Sequence, residues 1–182
     1  MSDEEDRGTG GHPDALIREL IAFPGRIATA EKVGQILDHI AQAPFNTRIT
    51  DVPAELVGLE FLGEELRTRE DSLMAHMAAR VLRDKQWREG SMKEDFLSDV
   101  KRAVLHPDVA LAVYETRRTN FAGAVAPNTV PLGRRGSDSG DYIVVLYSAD
   151  RGRIITAYQA EDAYSTRIPE RARWIRLPSK SS

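Results

Sequence analysis

Beyond Pro107 the spacing of apolar residues changes from three-and-four to two, and this change of period constrains the fold more than any other feature of the chain. Residues 109–118 alternate, with Val109, Leu111 and Val113 on one face and Tyr114, Thr116 and Arg118 on the other, which predicts a strand with one polar, accessible side. A strand at 121–126 is followed by a Pro-, Gly-, Ser- and Asn-rich loop from Pro127 to Asp141. The segments Tyr142–Tyr147 and Arg153–Gln159 then read as a hairpin closed by Ser148-Ala-Asp-Arg-Gly152, with glycine where a positive φ is needed. Arg173 to Leu177 adds a candidate edge strand.

Before Pro107 the period is helical. Pro13 suits the first turn of a helix carrying Leu16, Ile17, Leu20 and Ile21, and Pro24-Gly25 ends it. Thr29 caps a second helix with Val33, Ile36, Leu37 and Ile40 on one stripe. Residues 45–66 have a weaker pattern, with a short strand at Thr47–Val52 and a packed connection after it. Thr68-x-x-Asp71 caps a helix expected to run to Glu89, and Ser91-x-x-Glu94 has the pattern of a capping box for one more. His106-Pro107-Asp108 reads as a turn. The expected architecture is therefore α+β, with N-terminal helices packed on a small antiparallel sheet of about four strands.

Charge divides the chain differently. Residues 1–66 hold five Lys/Arg and thirteen Asp/Glu, a net 5 − 13 = −8, whereas residues 67–182 hold twenty and fifteen, a net 20 − 15 = +5. The reading is an acidic disordered tail at 1–12, an acidic helical accessory region at 13–66 and a basic α+β domain at 67–182. A basic domain points to an anionic partner such as nucleic acid, and ordinary solvated surfaces would give the same count. The longest apolar runs, Val109–Tyr114 and Tyr142–Tyr147, are six residues each, against the roughly 20 that a membrane helix needs. Four acids in Met1–Asp6 do not fit a secretory signal, and the expectation is a cytoplasmic protein. The absence of cysteine rules out disulfides, thiolate catalysis and cysteine-bound metals in this chain. No Walker-type loop, Gly-x-Gly-x-x-Gly, His-Glu-x-x-His or Gly-x-Ser-x-Gly occurs. His12, His39, His76 and His106 are scattered along the sequence, so neither metal nor other cofactor is expected.

What is left is a helix with His76 and Arg80, a strand with Tyr114, Thr116, Arg117 and Arg118, and a strand with Thr156 and Tyr158. The order of these elements, closing on Ile155-Thr-Ala-Tyr158, resembles the barnase/EndoU/colicin/RelE-type ribonuclease superfamily, in particular its phage and contact-dependent toxin branches, over roughly residues 71–160. The resemblance implies helices on a four-stranded antiparallel sheet and a metal-independent endoribonuclease that cleaves RNA, tRNA or mRNA, by attack of a 2′-hydroxyl on the phosphodiester. It also implies an antitoxin or immunity partner. Carried onto this chain, His76 is the acid or base, Arg118 the phosphate clamp, Thr156 a donor to phosphate and Tyr158 a donor or stacking surface. Arg80, Tyr114, Thr116 and Arg117 then contact substrate. Where toxin branches often carry a second histidine or lysine, His76-Met-Ala-Ala-Arg80 offers arginine. Packing explains a helical histidine and strand threonine or tyrosine equally well. The basic and aromatic segment Arg171-Ala-Arg-Trp174-Ile-Arg176 fits phosphate contact with stacking, or a charged edge strand. The alternatives are a non-catalytic RNA- or protein-binding module and a phage or structural assembly protein.

Overall fold

The first helix, α1 (Pro13–Ala22), starts where proline's fixed φ suits a first turn, and the His12 ring caps it by accepting the Asp14 N–H at 3.2 Å. In the computed structural model, which describes residues 11–46, 50–164 and 167–178, α1 buries Leu16, Ile17 and Leu20. Thr29 caps α2 (Ala30–Gln42) by accepting from the Lys32 N–H at 3.3 Å, and Val33, Ile36, Leu37 and Ile40 form its buried stripe. The expected strand at Thr47–Val52 falls partly outside the described residues. Within it, β1 (Thr50–Asp51) pairs with β4 (Arg69–Glu70), and β2 (Glu60–Phe61) and β3 (Glu64–Glu65) form a separate small hairpin between them.

Asp71 caps α3 (Ser72–Ala78), its carboxylate accepting from Leu73 N at 2.8 Å and Met74 N at 3.3 Å. This helix does not reach Glu89. It widens into a π-turn at Ala79–Arg83 and stops, with Lys85 in the left-handed region at φ 54°. The early stop frees Gln86 and Trp87 for tertiary bonds that a continuing helix would not permit. In α4 (Lys93–Val104) the expected capping box is displaced by one residue. Asp95, not Glu94, reaches back to the Met92 N–H, while Ser91 donates to Arg88 O at 2.8 Å.

The strands β5 (Ala110–Thr116), β6 (Thr119–Pro127), β7 (Tyr142–Ser148), β8 (Arg153–Ala160) and β9 (Arg173–Arg176) form one antiparallel sheet in the order β8-β7-β6-β5-β9. It has five strands, not about four. The polar β9 joins because its pairing with β5 places Arg173 at the open C-terminal carbonyls of α1, where it donates to Leu20 O at 2.9 Å and to Arg26 O.

The expected polar side of β5 is also corrected, since both faces of the sheet are covered. Leu111, Val113, Ala122, Ile143 and Val145 pack against the helices. Ala110, Ala112, Tyr114, Val144, Leu146 and Tyr158 pack beneath the segment after β8, which contributes Ala163 and Ile168. Gly123 provides the space for this cover, because a Cβ there would lie 2.6 Å from Ile168 Cδ1. Leu16, Ile36, Leu56 and Leu66 share one core with the sheet residues, so the charge boundary near Leu66 is not a boundary of packing. No helix among the described residues is long and apolar enough to cross a membrane.

Asp99 ties the loops to α4. Its carboxylate is fully buried and accepts from Trp87 Nε1 at 3.1 Å, Arg102 Nη2 at 2.7 Å and Arg134 Nη2 at 2.5 Å. Removing it strands a buried indole N–H and two guanidiniums. Asp99→Ala is therefore expected to cost about 3 kcal/mol in urea unfolding, and Asp99→Asn, which keeps an acceptor for Trp87, markedly less. Equal stability of the two variants would refute this account.

Candidate functional site

β8 is an outer strand, and backbone and side-chain groups from three other segments occupy its free edge. The Ile154 amide donates to Pro44 O at 2.9 Å, and the Ile154 carbonyl accepts from Asn46 N at 2.8 Å. Arg80 Nε donates to Ala157 O at 2.9 Å. Gln86 imitates a strand residue opposite Gln159, accepting from its amide at 2.8 Å and donating to its carbonyl at 3.0 Å. One helical turn separates His76 from Arg80, so both face this edge.

Three of the four expected catalytic residues meet here. His76 Nδ1 lies 3.4 Å from Thr156 Oγ1, and Arg80 Nη2 donates to that hydroxyl at 2.9 Å. The Arg80 guanidinium stands 5.5 Å from the Tyr158 ring centroid and that of Arg167 stands 5.3 Å from it, while Arg167 N donates to the Tyr158 hydroxyl at 2.8 Å. Arg80 is buried and each of its three nitrogens makes a hydrogen bond, with Nη1 donating to Asp84 at 2.7 Å. Partial burial pushes the Asp84 carboxyl up, but hydrogen bonds from Arg83 and Arg80 outweigh it and hold the group below the usual carboxylate range. Thr156 and Tyr158 are buried as well, whereas the half-buried His76 and Asp84 and the exposed Arg167 are within a ligand's reach. The sequence reading missed Arg167, which lies in an irregular segment with no period to mark it.

Burial first, then the charges of Arg80 and Arg167, lower the His76 pKa to about 4, against the usual 6.5. At neutral pH the ring is uncharged, with a lone pair for accepting a proton or a hydrogen bond. Hydrogen bonds from its arginines hold Asp84 ionised, so among the described residues the cluster supplies a base in His76 and a cation in Arg167.

Arg118 is elsewhere. Thr156 lies in register with Leu146, Gly123 and Ala112, whereas Arg118 belongs to the turn beyond Thr116. Three strand spacings and four residues along β5 separate them, about 20 Å. Arg117 and Arg118 are the two central residues of the β5–β6 hairpin, both left-handed with φ of 50° and 63°. Their guanidiniums are exposed and make no hydrogen bond or ion pair among the described residues. The β7–β8 turn lies alongside, joined by Ala149 N to Asn120 O at 2.9 Å and by Asn120 N to Asp150 at 2.8 Å, and it presents the exposed Arg151. Arg171 completes the group by donating to Glu115 O at 2.6 Å and Thr116 Oγ1 at 3.1 Å. Tyr114, expected to contact substrate, is buried and stacks on Phe121 with centroids 5.4 Å apart.

Comparison with family models, curated proteins and solved structures gave no match to this chain.

The His76 pKa has a direct consequence. A histidine whose folded pKa is depressed takes up its proton in the unfolded chain first, so stability is intact above 6.5 and declines as pH falls toward 4, by up to about 1.4 kcal/mol per pH unit. The stability difference between pH 7 and pH 5, measured by urea titration, is expected to shrink in His76→Gln. An unchanged difference would mean that His76 is not the group that titrates.

Proposed function

We propose that this protein is a non-catalytic RNA-binding module that holds single-stranded RNA at the hairpin end of its sheet. The observation that carries this reading is the turn Thr116-Arg117-Arg118-Thr119. A two-residue hairpin of this hand favours Asn-Gly, and placing non-glycine residues in left-handed conformations costs on the order of 1 kcal/mol each. Arginine gives nothing back to the fold here, since neither guanidinium has an intramolecular partner among the described residues. A local rule broken without a structural return marks a functional position. With Arg151 and Arg171 beside it, the turn gathers four guanidiniums at one end of the sheet against two acids, the exposed Glu115 and Asp150, the latter already engaged by Arg18 at 3.5 Å and by Asn120.

Unpaired bases also need an aromatic surface. Tyr164 is 61% exposed and stands edge-on to Trp174 at 5.8 Å, and Trp174 lies on β9 beside β5. The cleavage reading retains one specific support, the neutral and reachable His76 beside Thr156 and Arg167. Against it stand the three bonds that hold the buried Arg80 to Ala157, Thr156 and Asp84, and the distance to Arg118.

Fluorescence anisotropy with a labelled single-stranded RNA, run at several salt concentrations, tests the proposal, and denaturing gels of the same samples report cleavage. Arg117→Asn with Arg118→Gly is expected to raise stability by about 1 kcal/mol while weakening RNA binding at least tenfold. Loss of two phosphate contacts should lower the slope of log K against log salt by about 1.4. Wild-type affinity in this double variant would sink the proposal, and shortened RNA that depends on His76 would establish cleavage in its place.

A further inference from the structure

The four histidines are far apart in sequence, but the fold brings two of them to one carboxylate. His12 precedes α1, Asp14 lies in its first turn, and His39 comes from the last turn of α2. One candidate ligand atom from each lies within 4.8 Å of the others. His12 Nδ1 is 3.7 Å from Asp14 Oδ2, and His39 Nε2 is 3.3 Å from Asp14 Oδ1. A tetrahedral ion with bonds of about 2.0–2.1 Å sets its ligand atoms roughly 3.3 Å apart, so these gaps close with small side-chain rotations.

We infer that His12, Asp14 and His39 form a binding site for a divalent first-row transition ion, with zinc as the ion that suits it. Two imidazoles and one carboxylate are borderline donors that favour such ions over calcium or magnesium, which take oxygen ligands. The donor atoms are in suitable states. His12 Nδ1 accepts the Asp14 N–H, so it is unprotonated and carries a lone pair, and binding exchanges that 3.2 Å hydrogen bond for a coordinate bond. His39 Nε2 faces the Tyr147 hydroxyl at 2.9 Å, and that hydroxyl gives its proton to Asp14 Oδ1 at 2.6 Å. Coordination through Nε2 therefore needs the other His39 tautomer, with the proton on Nδ1, a shift that leaves the net charge of the ring unchanged.

Tyr147 supplies the outer support typical of metal sites. It rises from β7 and is fully buried, and its hydroxyl, next to His39 Nε2, donates to Asp14 Oδ1 and fixes the orientation of that carboxylate. Three protein ligands leave one tetrahedral position for water or a small ligand. The clustering also has a plain electrostatic alternative, in which the imidazoles only accompany a buried carboxylate. The 63% exposure of the His12 side chain argues against it, because a ring so open to water adds little to satisfying Asp14. A bound ion would clip the start of α1 to α2 and to the sheet.

Isothermal titration of zinc chloride into the chelator-treated full-length protein tests the site. The expected result is one zinc per chain, a rise of about 3–5 °C in Tm at saturation, and at least tenfold weaker binding in both His12→Ala and His39→Ala. Cobalt(II) supplies a second readout, a visible absorption band of tetrahedral type that both variants lose. His12→Ala decides the matter if His39→Ala does not fold, since the exposed His12 ring carries little packing. Absence of zinc binding by the wild type, or equally tight binding by His12→Ala, overturns the inference.

Discussion

The outer edge of β8 is the constraint around which much of this chain is organised. A sheet edge presents a row of unpaired amides and carbonyls that invites pairing with another chain. Here three separate parts of the sequence cover it. Pro44 and Asn46 follow α2, Arg80 sits in the π-turn after α3, and Gln86 stands past the left-handed Lys85. Had α3 continued to Glu89, Gln86 would have been locked into helical geometry and could not have opposed Gln159. The π-turn and the early stop are thus the local form of a tertiary demand, with backbone regularity exchanged for satisfied polar groups at the edge. Gln159 extends the arrangement inward, its side-chain oxygen accepting from Asn128 at 2.9 Å and from the Gly140 amide at 2.9 Å, which fixes both ends of the long loop between β6 and β7.

The same edge accounts for the cluster at His76. Arg80, Thr156 and Tyr158 are brought together by edge capping and burial, which is enough to explain their presence without a substrate. The double-arginine turn has no such explanation. Among the described residues its guanidiniums make no hydrogen bond or ion pair, and its backbone works against residue preference. For that reason the functional reading rests at the hairpin end of the sheet and not at the edge where the sequence first pointed.

The parts of the fold legible in the sequence were those set by local chemistry. Thr29 and Asp71 cap where short polar side chains before an apolar stripe should, and β5 to β8 follow from alternation and turn residues. The misreadings came from distant partners. The end of α3 depends on Gln159, some seventy residues away in sequence. Burial of Tyr114 depends on Ile168 seating over Gly123, and β9 depends on the open carbonyls of α1. None of these leaves a mark within a window of ten or fifteen residues. For the same reason Arg118 looked like a neighbour of Thr156. Thr156 lies on β8 and Arg118 in the turn between β5 and β6, and only the order β8-β7-β6-β5 shows how far apart these are.

Histidine spacing hid a contact where strand position had suggested one. His12 and His39 are separated by a helix, a turn and most of a second helix, and antiparallel packing of α1 on α2 returns the second ring to the first. The hint in the sequence was the pair His12-x-Asp14, a cap with a carboxylate in the first turn of a helix. A carboxylate there is stabilised by the helix N-terminus, and α1 is short enough for its other end to be closed by Arg173. With one end held by a cation from β9 and the other by Tyr147 from β7, α1 is anchored to the sheet at both termini. That anchoring explains how the net-acidic N-terminal segment shares one apolar core with the net-basic remainder of the chain. The two charge classes meet at specific helix-end contacts, Asp14 toward the sheet and Arg173 toward the helix, and between them Leu16, Ile17 and Leu20 bury the apolar face.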